Sequence, residues 1–221
     1  ENIKQITLII QFWIKLKKEG RVMEKNKEQE KRLDYLLEEF KADSVEYKDI
    51  EIPEDINGKR CILRSLMNVR MPKKMSDSVL KVQDEYLSVY VEEKGIVQLS
   101  DIPVTRGNVS IWQGDITRLK VDAIVNAANS QMLGCFIPMH MCIDNQIHTY
   151  AGVQLREECS HKMKKLRKKY GNYYEQPTAI PMITNAYNLP ARNVIHIVGP
   201  IVRGRLTPEL EQKLVDCYKK V

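Results

Sequence analysis

A chain of 221 residues with 43% apolar and 29% charged residues suits a soluble globular protein with a real core, as one large domain or a domain with a substantial extension. The net charge of +6 invites a nucleic-acid reading, yet Lys162–Lys169 alone holds six basic residues and no acid, which equals the whole excess. Such a run reads as the solvated end of a helix, where cations suit the dipole, and it argues against a nucleic-acid surface.

The chain opens with an apolar segment, Ile6–Ile14, that is too short to span a bilayer. Basic residues mostly follow it and no small-residue cleavage site appears, so neither membrane association nor a secretory signal is expected. Met23 opens a strongly helical run, and residues 1–22 read as a leader or added segment ahead of a natural start. Leu33, Leu36, Leu37 and Phe40 recur at helical spacing. Pro53 and the Asn57-Gly58 pair break that helix. A second apolar-periodic run covers 60–70 and stops before Pro72. A third starts at Ser76, a good N-cap, and ends at Gly95. Residues 23–106 therefore form an expected helical extension.

The character changes from 107 onward. The spacing predicts strands at VSIWQ (109–113), DAIVNAAN (122–129), TAIPMIT (178–184) and NVIHIVG (193–199). Gly114–Thr117 reads as a strand-to-loop exit, Asp144–Cys159 as one helix, and Leu206 onward as another. Strands alternating with helices indicate an α/β domain with a parallel or mixed sheet.

Chemistry concentrates in GCFIPMHMCIDNQIH (134–148). Cys135, His140 and Cys142 offer two thiolates and an imidazole, donors that suit zinc. The spacing matches no common finger pattern, and on spacing alone a metal-free loop with half-buried cysteines is an equal reading. His148 and Cys159 are the candidates for a fourth ligand; without them three ligands leave an open position, as catalytic zinc sites do. The helix opening near Asp144-Asn145 presents free N–H groups suited to phosphate, and either residue could simply cap it. Asn126 and Asn129 end a buried strand where open α/β sheets bind ligands, although Asn is also a common turn former. Asp115 could accept a hydrogen bond from an exocyclic amine or close a turn. Five cysteines at 61, 135, 142, 159 and 217 form no disulfide framework and fit a reducing cytoplasm.

Four segments in order, GDIT (114–117), VDAIVNAANS (121–130), IHTYAG (147–152) and YNLPARNVIHIVGP (187–200), resemble the macrodomain family of ADP-ribose-binding α/β proteins. The resemblance runs from Asn108 to the end, about half the chain, and implies a mixed sheet flanked by helices over 107–221. Where most macrodomains carry a run of glycines, GCFIPMHMCIDN resembles the zinc-containing bacterial branch, whose members carry a helical N-terminal extension. The resemblance implies Zn2+ on Cys135, His140 and Cys142. It places Asp115 and Ile116 at the adenine, Asn129 at the distal ribose, and Cys142, Ile143 and Asp144 along the ribose and diphosphate. Macrodomains continue beyond the last helix here with further strands and a second phosphate loop, so an incomplete domain is expected.

The implied activity is zinc-dependent removal of mono-ADP-ribose from an acidic side chain of a modified protein, with Asn129 and Asp144 as the catalytic pair. The implied partners are ADP-ribose and a protein modified by a sirtuin-type transferase, such as a lipoyl-carrier protein. The alternative is a non-catalytic reader of ADP-ribosylated protein in which zinc only staples the loop.

Overall fold

The computed structural model describes residues 24–221; the apolar segment, the leader expected at 1–22 and Met23 lie outside them. Three helices come first. Helix α1 (24–42) buries Leu33, Leu36, Leu37 and Phe40, each at most 2% exposed, as the helical spacing requires. Helix α2 (Ile56–Val69) begins earlier than expected. Asn57-Gly58 is not a turn but its first turn, because the Asp55 carboxylate accepts the Gly58 N–H and caps the helix. Helix α3 (Asp77–Lys94) is capped by Ser76 and ends at Gly95, whose φ of 81° gives the chain its exit.

These helices share a core with Val153 from the following half, so the extension is continuous with what it precedes. Strand β1 (Val97–Gln98) pairs in parallel with β2 (Leu119–Lys120) in a small separate ladder. The main sheet has the order β3-β5-β4, with β3 (Ala123–Ala128) parallel to the central β5 (Asn193–Val198) and β4 (Met182–Asn185) antiparallel to it. The sheet is mixed, and the domain is α/β as expected. Helices α4 (Ile143–Ala151) and α5 (Val153–Tyr170) pack on one sheet face, where Ile124, Ile147, Leu155, Met163 and Val194 form the main core. Helix α6 (Pro208–Lys220) starts at Thr207 and seats Cys217 against Ala179 and Ile197.

Three expected elements differ. Residues 109–113 are not a strand: Val109 closes a tight bridge with Arg106, Val109 and Ile111 are 63% and 76% exposed, and β-prone residues without a neighbour make no ladder. The strand expected over 178–184 is paired in the main sheet only from Met182. Pro177 and Pro181 lack the N–H a ladder needs, Ala179 sits at φ 61°, and Thr178 makes a lone bridge to Val198. The helix expected over Asp144–Cys159 is two helices broken at Gly152, which adopts φ 95°. A Cβ there would come within 2.6 Å of the Gln83 and Gln154 amide tips, which adds crowding to the backbone's need for glycine at the break. The basic run 162–169 ends α5, largely in solvent, as a charged last turn does.

Candidate functional site

The site assembles where β3 ends and α4 begins. Strand β3 alternates its side chains, so Ile124 and Asn126 turn toward the helices while Val125 faces away. The chain then runs through Asn129 and a loop, 130–141, into α4. Gly134 is the pivot of that loop at φ 80°. A side chain there would strike the His148 ring at 2.7 Å, so the close approach of loop and helix needs glycine.

The loop brings Cys135, His140 and Cys142 together, with one ligand atom of each within 4.8 Å of the others. Cys135 Sγ lies 3.5 Å from His140 Nδ1. His140 is exposed and both cysteines are half-buried. Cys142, rather than Asp144 or Asn145, caps α4: its sulfur accepts the Asn145 N–H at 3.4 Å. Burial pushes the Cys142 thiol up; the Asn145 N–H partly offsets this, and Cys135 and Asp144 add to it. A positive charge among these sulfurs would reverse that balance. Two sulfurs and an imidazole nitrogen within mutual reach are a donor set that fits zinc.

The expected fourth ligands do not join. His148 and Cys159 instead meet His196 in a second, fully buried group. Here His196 is already committed at both nitrogens, while the two His148 nitrogens are buried without a hydrogen-bond partner among the described residues. Asn126 and His196 are directly paired across β3 and β5, with Asn126 Nδ2 3.0 Å from His196 Nδ1. Since Asn126 Nδ2 can only donate, His196 Nδ1 accepts and Nε2 carries the hydrogen, donating to Thr184 Oγ1 at 3.0 Å. Burial, aided by the charge of Lys162, depresses His196 to about 4. Burial, with Arg156 and His196, also depresses His148, and raises the Cys159 thiol.

Asn126 links this buried group to the loop. It is wholly buried and donates to Asp144 Oδ1 at 2.7 Å, so it supports the site from beneath and does not face a ligand cleft. Asn129, by contrast, is exposed; it donates to Gly134 O at 3.0 Å and to Asp144 Oδ2 at 3.3 Å. The two residues expected to act together are thus hydrogen-bonded. Asp144 is 5% exposed, and burial raises its carboxyl despite the Asn126 bond and nearby Arg156.

Ile143 is the first residue of α4 and half-buried, so its N–H and those after it open the helix beside the loop. Asp115 does not end a strand; it caps a 3-10 turn (Ile116–Arg118) that leads into β2. Its Oδ1 accepts from the Thr117 N–H and hydroxyl at 2.9 and 2.6 Å, and Oδ2 takes Lys94 Nζ at 2.6 Å. Burial opposes ionisation, but the Lys94 and Thr117 donors outweigh it and lower the carboxyl. Oδ2 keeps one lone pair for a further donor. Ile116 is half-buried and packs against the main core beside it.

The model of the Macro domain family matches residues 125–221. A protein-ADP-ribose hydrolase of Treponema medium is 48% identical over 194 residues, which cover 86% of this chain and 72% of that protein. The chain belongs to the macrodomain hydrolase family. A protein-ADP-ribose hydrolase of Staphylococcus aureus (strain MRSA252) is 39% identical over 89% of this chain and 72% of its own. A solved structure of the Oceanobacillus iheyensis macrodomain with ADP is 39% identical and aligns with a TM-score of 0.39 over 48% of this chain and 51% of that one. The Treponema and Staphylococcus matches extend well into the three-helix extension, which therefore belongs to the macrodomain hydrolase as these relatives have it.

Residues the sequence did not single out line this macrodomain site from the extension. Arg64, Asn68 and Lys94 all reach it. The i, i+4 spacing of Arg64 and Asn68 on one face of α2 was the available signal.

Proposed function

We propose that this macrodomain is a zinc-dependent hydrolase that releases mono-ADP-ribose from an acidic side chain of a modified protein. The observation that carries the proposal is the adjacency of two sets: Cys135, His140 and Cys142 within 4.8 Å, and the Asn129–Asp144 hydrogen bond a few residues away. Cys135, His140 and Cys142 would hold zinc, which when bound polarises a ribose hydroxyl or a water and lowers its pKa.

The protein's own groups do the rest. Asp115 Oδ2 accepts the adenine amine, and Ile116 packs against the ring. The N–H groups opening α4 at Ile143 and Asp144 bind the diphosphate, with Cys142 beside the ribose. Asn129 orients the distal ribose. Asp144, held in place by Asn126 and Asn129, positions the attacking water and accepts its proton. The odd number and wide spacing of the five cysteines support a reducing, cytoplasmic setting. Among the described residues no helix is long and apolar enough to cross a membrane. The resemblance supports a substrate modified by a sirtuin-type transferase, with a lipoyl-carrier protein as the candidate.

Release of labelled ADP-ribose from a protein mono-ADP-ribosylated on Asp or Glu tests this. Wild-type protein should release it and Cys142→Ala should not, with the circular dichroism of the variant unchanged. Equal release by both would remove zinc from the mechanism. Binding without release by the wild type would make the protein a reader.

A further inference from the structure

The metal loop does not hold itself. Its residues 135–141 are exposed or half-buried and contain no regular structure beyond a turn in which the His140 N–H meets Ile137 O at 3.2 Å. Met139 sits at φ 56°, a left-handed conformation that a side chain disfavours by roughly 1–2 kcal/mol. Something outside the loop must select this arrangement, and the polar contacts point to the three-helix extension.

Asn145, on the first turn of α4 and wholly buried, is the hub. Its Nδ2 donates to Cys135 O at 3.3 Å and Ile137 O at 2.9 Å, while its N–H meets Cys142 Sγ. That pattern requires the amide to face one way, with nitrogen toward the loop. Arg64 of α2 fixes that choice. Its guanidinium only donates, and Nη2 binds Asn145 Oδ1 at 2.9 Å and His140 O at 2.7 Å. One cation therefore ties the backbone of His140 to the side-chain amide that holds the Cys135 and Ile137 carbonyls. One turn along α2, Asn68 Oδ1 accepts the Met139 N–H at 3.1 Å, and its Nδ2 donates to Thr149 Oγ1 of α4 at 2.8 Å. Asn68 is 1% exposed, so both ends of its amide are spent on this seam.

We infer that Arg64 and Asn68 are positioning residues for the metal loop, Arg64 acting through Asn145 and the His140 carbonyl and Asn68 through the Met139 N–H, so that the helical extension sets the geometry of Cys135, His140 and Cys142. The inference rests on the zinc reading for its consequence, but the loop's order is measurable without metal. Neither residue touches the ligand atoms themselves, which separates a positioning role from a coordinating one.

The test compares wild type, Arg64→Ala, Arg64→Lys and Asn68→Ala. Amide hydrogen exchange in metal-free protein reads the loop directly. Peptides covering 134–142 should exchange at least tenfold faster in Arg64→Ala and Asn68→Ala, with peptides of β3 and β5 unchanged. Arg64→Lys, which keeps a donor on the same face, should restore part of the protection. Zinc affinity against a chromophoric chelator should fall about tenfold in Arg64→Ala and recover partly in Arg64→Lys. Loop protection equal to wild type in Arg64→Ala would overturn the inference. Equal loss of protection throughout the chain would also overturn it, because the residues would then serve the fold as a whole. Wild-type protein that takes up no zinc would defeat the zinc reading alone, since the exchange result stands by itself.

Discussion

Two groups of cysteine and histidine lie near one another, one on a surface loop and one wholly buried, and they differ in what surrounds their donors. Cys135, His140 and Cys142 sit on a loop at the surface with their lone pairs uncommitted to strong donors. His148, Cys159 and His196 are as close together, yet burial keeps both imidazoles neutral, the thiol protonated, and His196 hydrogen-bonded at both nitrogens. The same residue types thus do different work according to solvent access and to what already holds their nitrogens. Proximity alone does not define a metal site; solvent access and the charge state of each donor also decide.

Removing one donor from the exposed group should give the largest effect. Cys135→Ala is expected to reduce zinc from one equivalent to near zero, and ADP-ribose release by about a hundredfold or more, in line with losing a metal ligand. With both proteins metal-free, unfolding in denaturant should shift little, because Cys135 is only half-buried. Elemental analysis with a single-turnover release assay checks both halves. Retained zinc in this variant would remove Cys135 from the ligand set.

The converse variant should reverse the pattern. His196→Leu strands Thr184 Oγ1 and leaves Asn126 with Asp144 as its one remaining side-chain partner, at a cost of about 2 kcal/mol. Zinc stoichiometry should hold while the denaturation midpoint falls. Release should also fall, because Asn126 keeps its bond to Asp144 but loses the His196 anchor that fixes it. A stable His196→Leu protein with normal release would show that the buried group supports nothing.

Acid should separate the two groups without mutation. His196 titrates at about 4 in the fold and near 6.5 when unfolded, so the unfolded chain binds the extra proton between those values. The stability this neutral histidine contributes is full above pH 6.5 and is lost as pH falls toward 4. The upper bound is about 3 kcal/mol, with His148 shifted in the same direction and adding to it. Urea midpoints measured from pH 7.5 to 4.5 should fall with decreasing pH, and His196→Gln should flatten part of that slope. An unchanged slope would place the buried titration elsewhere.

What was readable beforehand follows the same division. Cys135, His140 and Cys142, like Asn129 and Asp144, lie within sixteen residues of sequence, so residue type and spacing single out the loop that brings them together. Helices α1 and α3 were legible from their period and caps, while VSIWQ misled because β-prone residues need a neighbour that local pattern does not supply. Arg64 and Asn68 show only their shared helix face, because their loop and α4 partners are more than 70 residues away and no short motif records a contact of that range. Gly152 was visible, but the packing of Gln83 against it was not, so one helix was expected in place of two.

The smallest predicted effect falls at the point where the two groups touch. Gly134 belongs to the loop, and an added Cβ would meet the His148 ring at 2.7 Å. Gly134→Ala forces a side chain into φ 80°, at a cost of roughly 1–2 kcal/mol, before any clash is relieved. Relief has only two routes. If the His148 ring gives way, it presses toward His196, 5.8 Å away between ring centroids, and stability falls further while zinc binding holds. If the loop gives way, Asn129 loses its bond to Gly134 O and Cys135 moves with its neighbour, so zinc affinity falls while the core is spared. The buried ring is enclosed by core and the loop faces solvent, so the loop should yield: zinc affinity should drop about threefold to tenfold with only the backbone cost in stability. Measuring the denaturation midpoint and zinc affinity on this one variant reports which of the two groups is the stiffer, and a drop in stability alone would show that the loop, braced by Arg64 and Asn68, is the harder of the two to move.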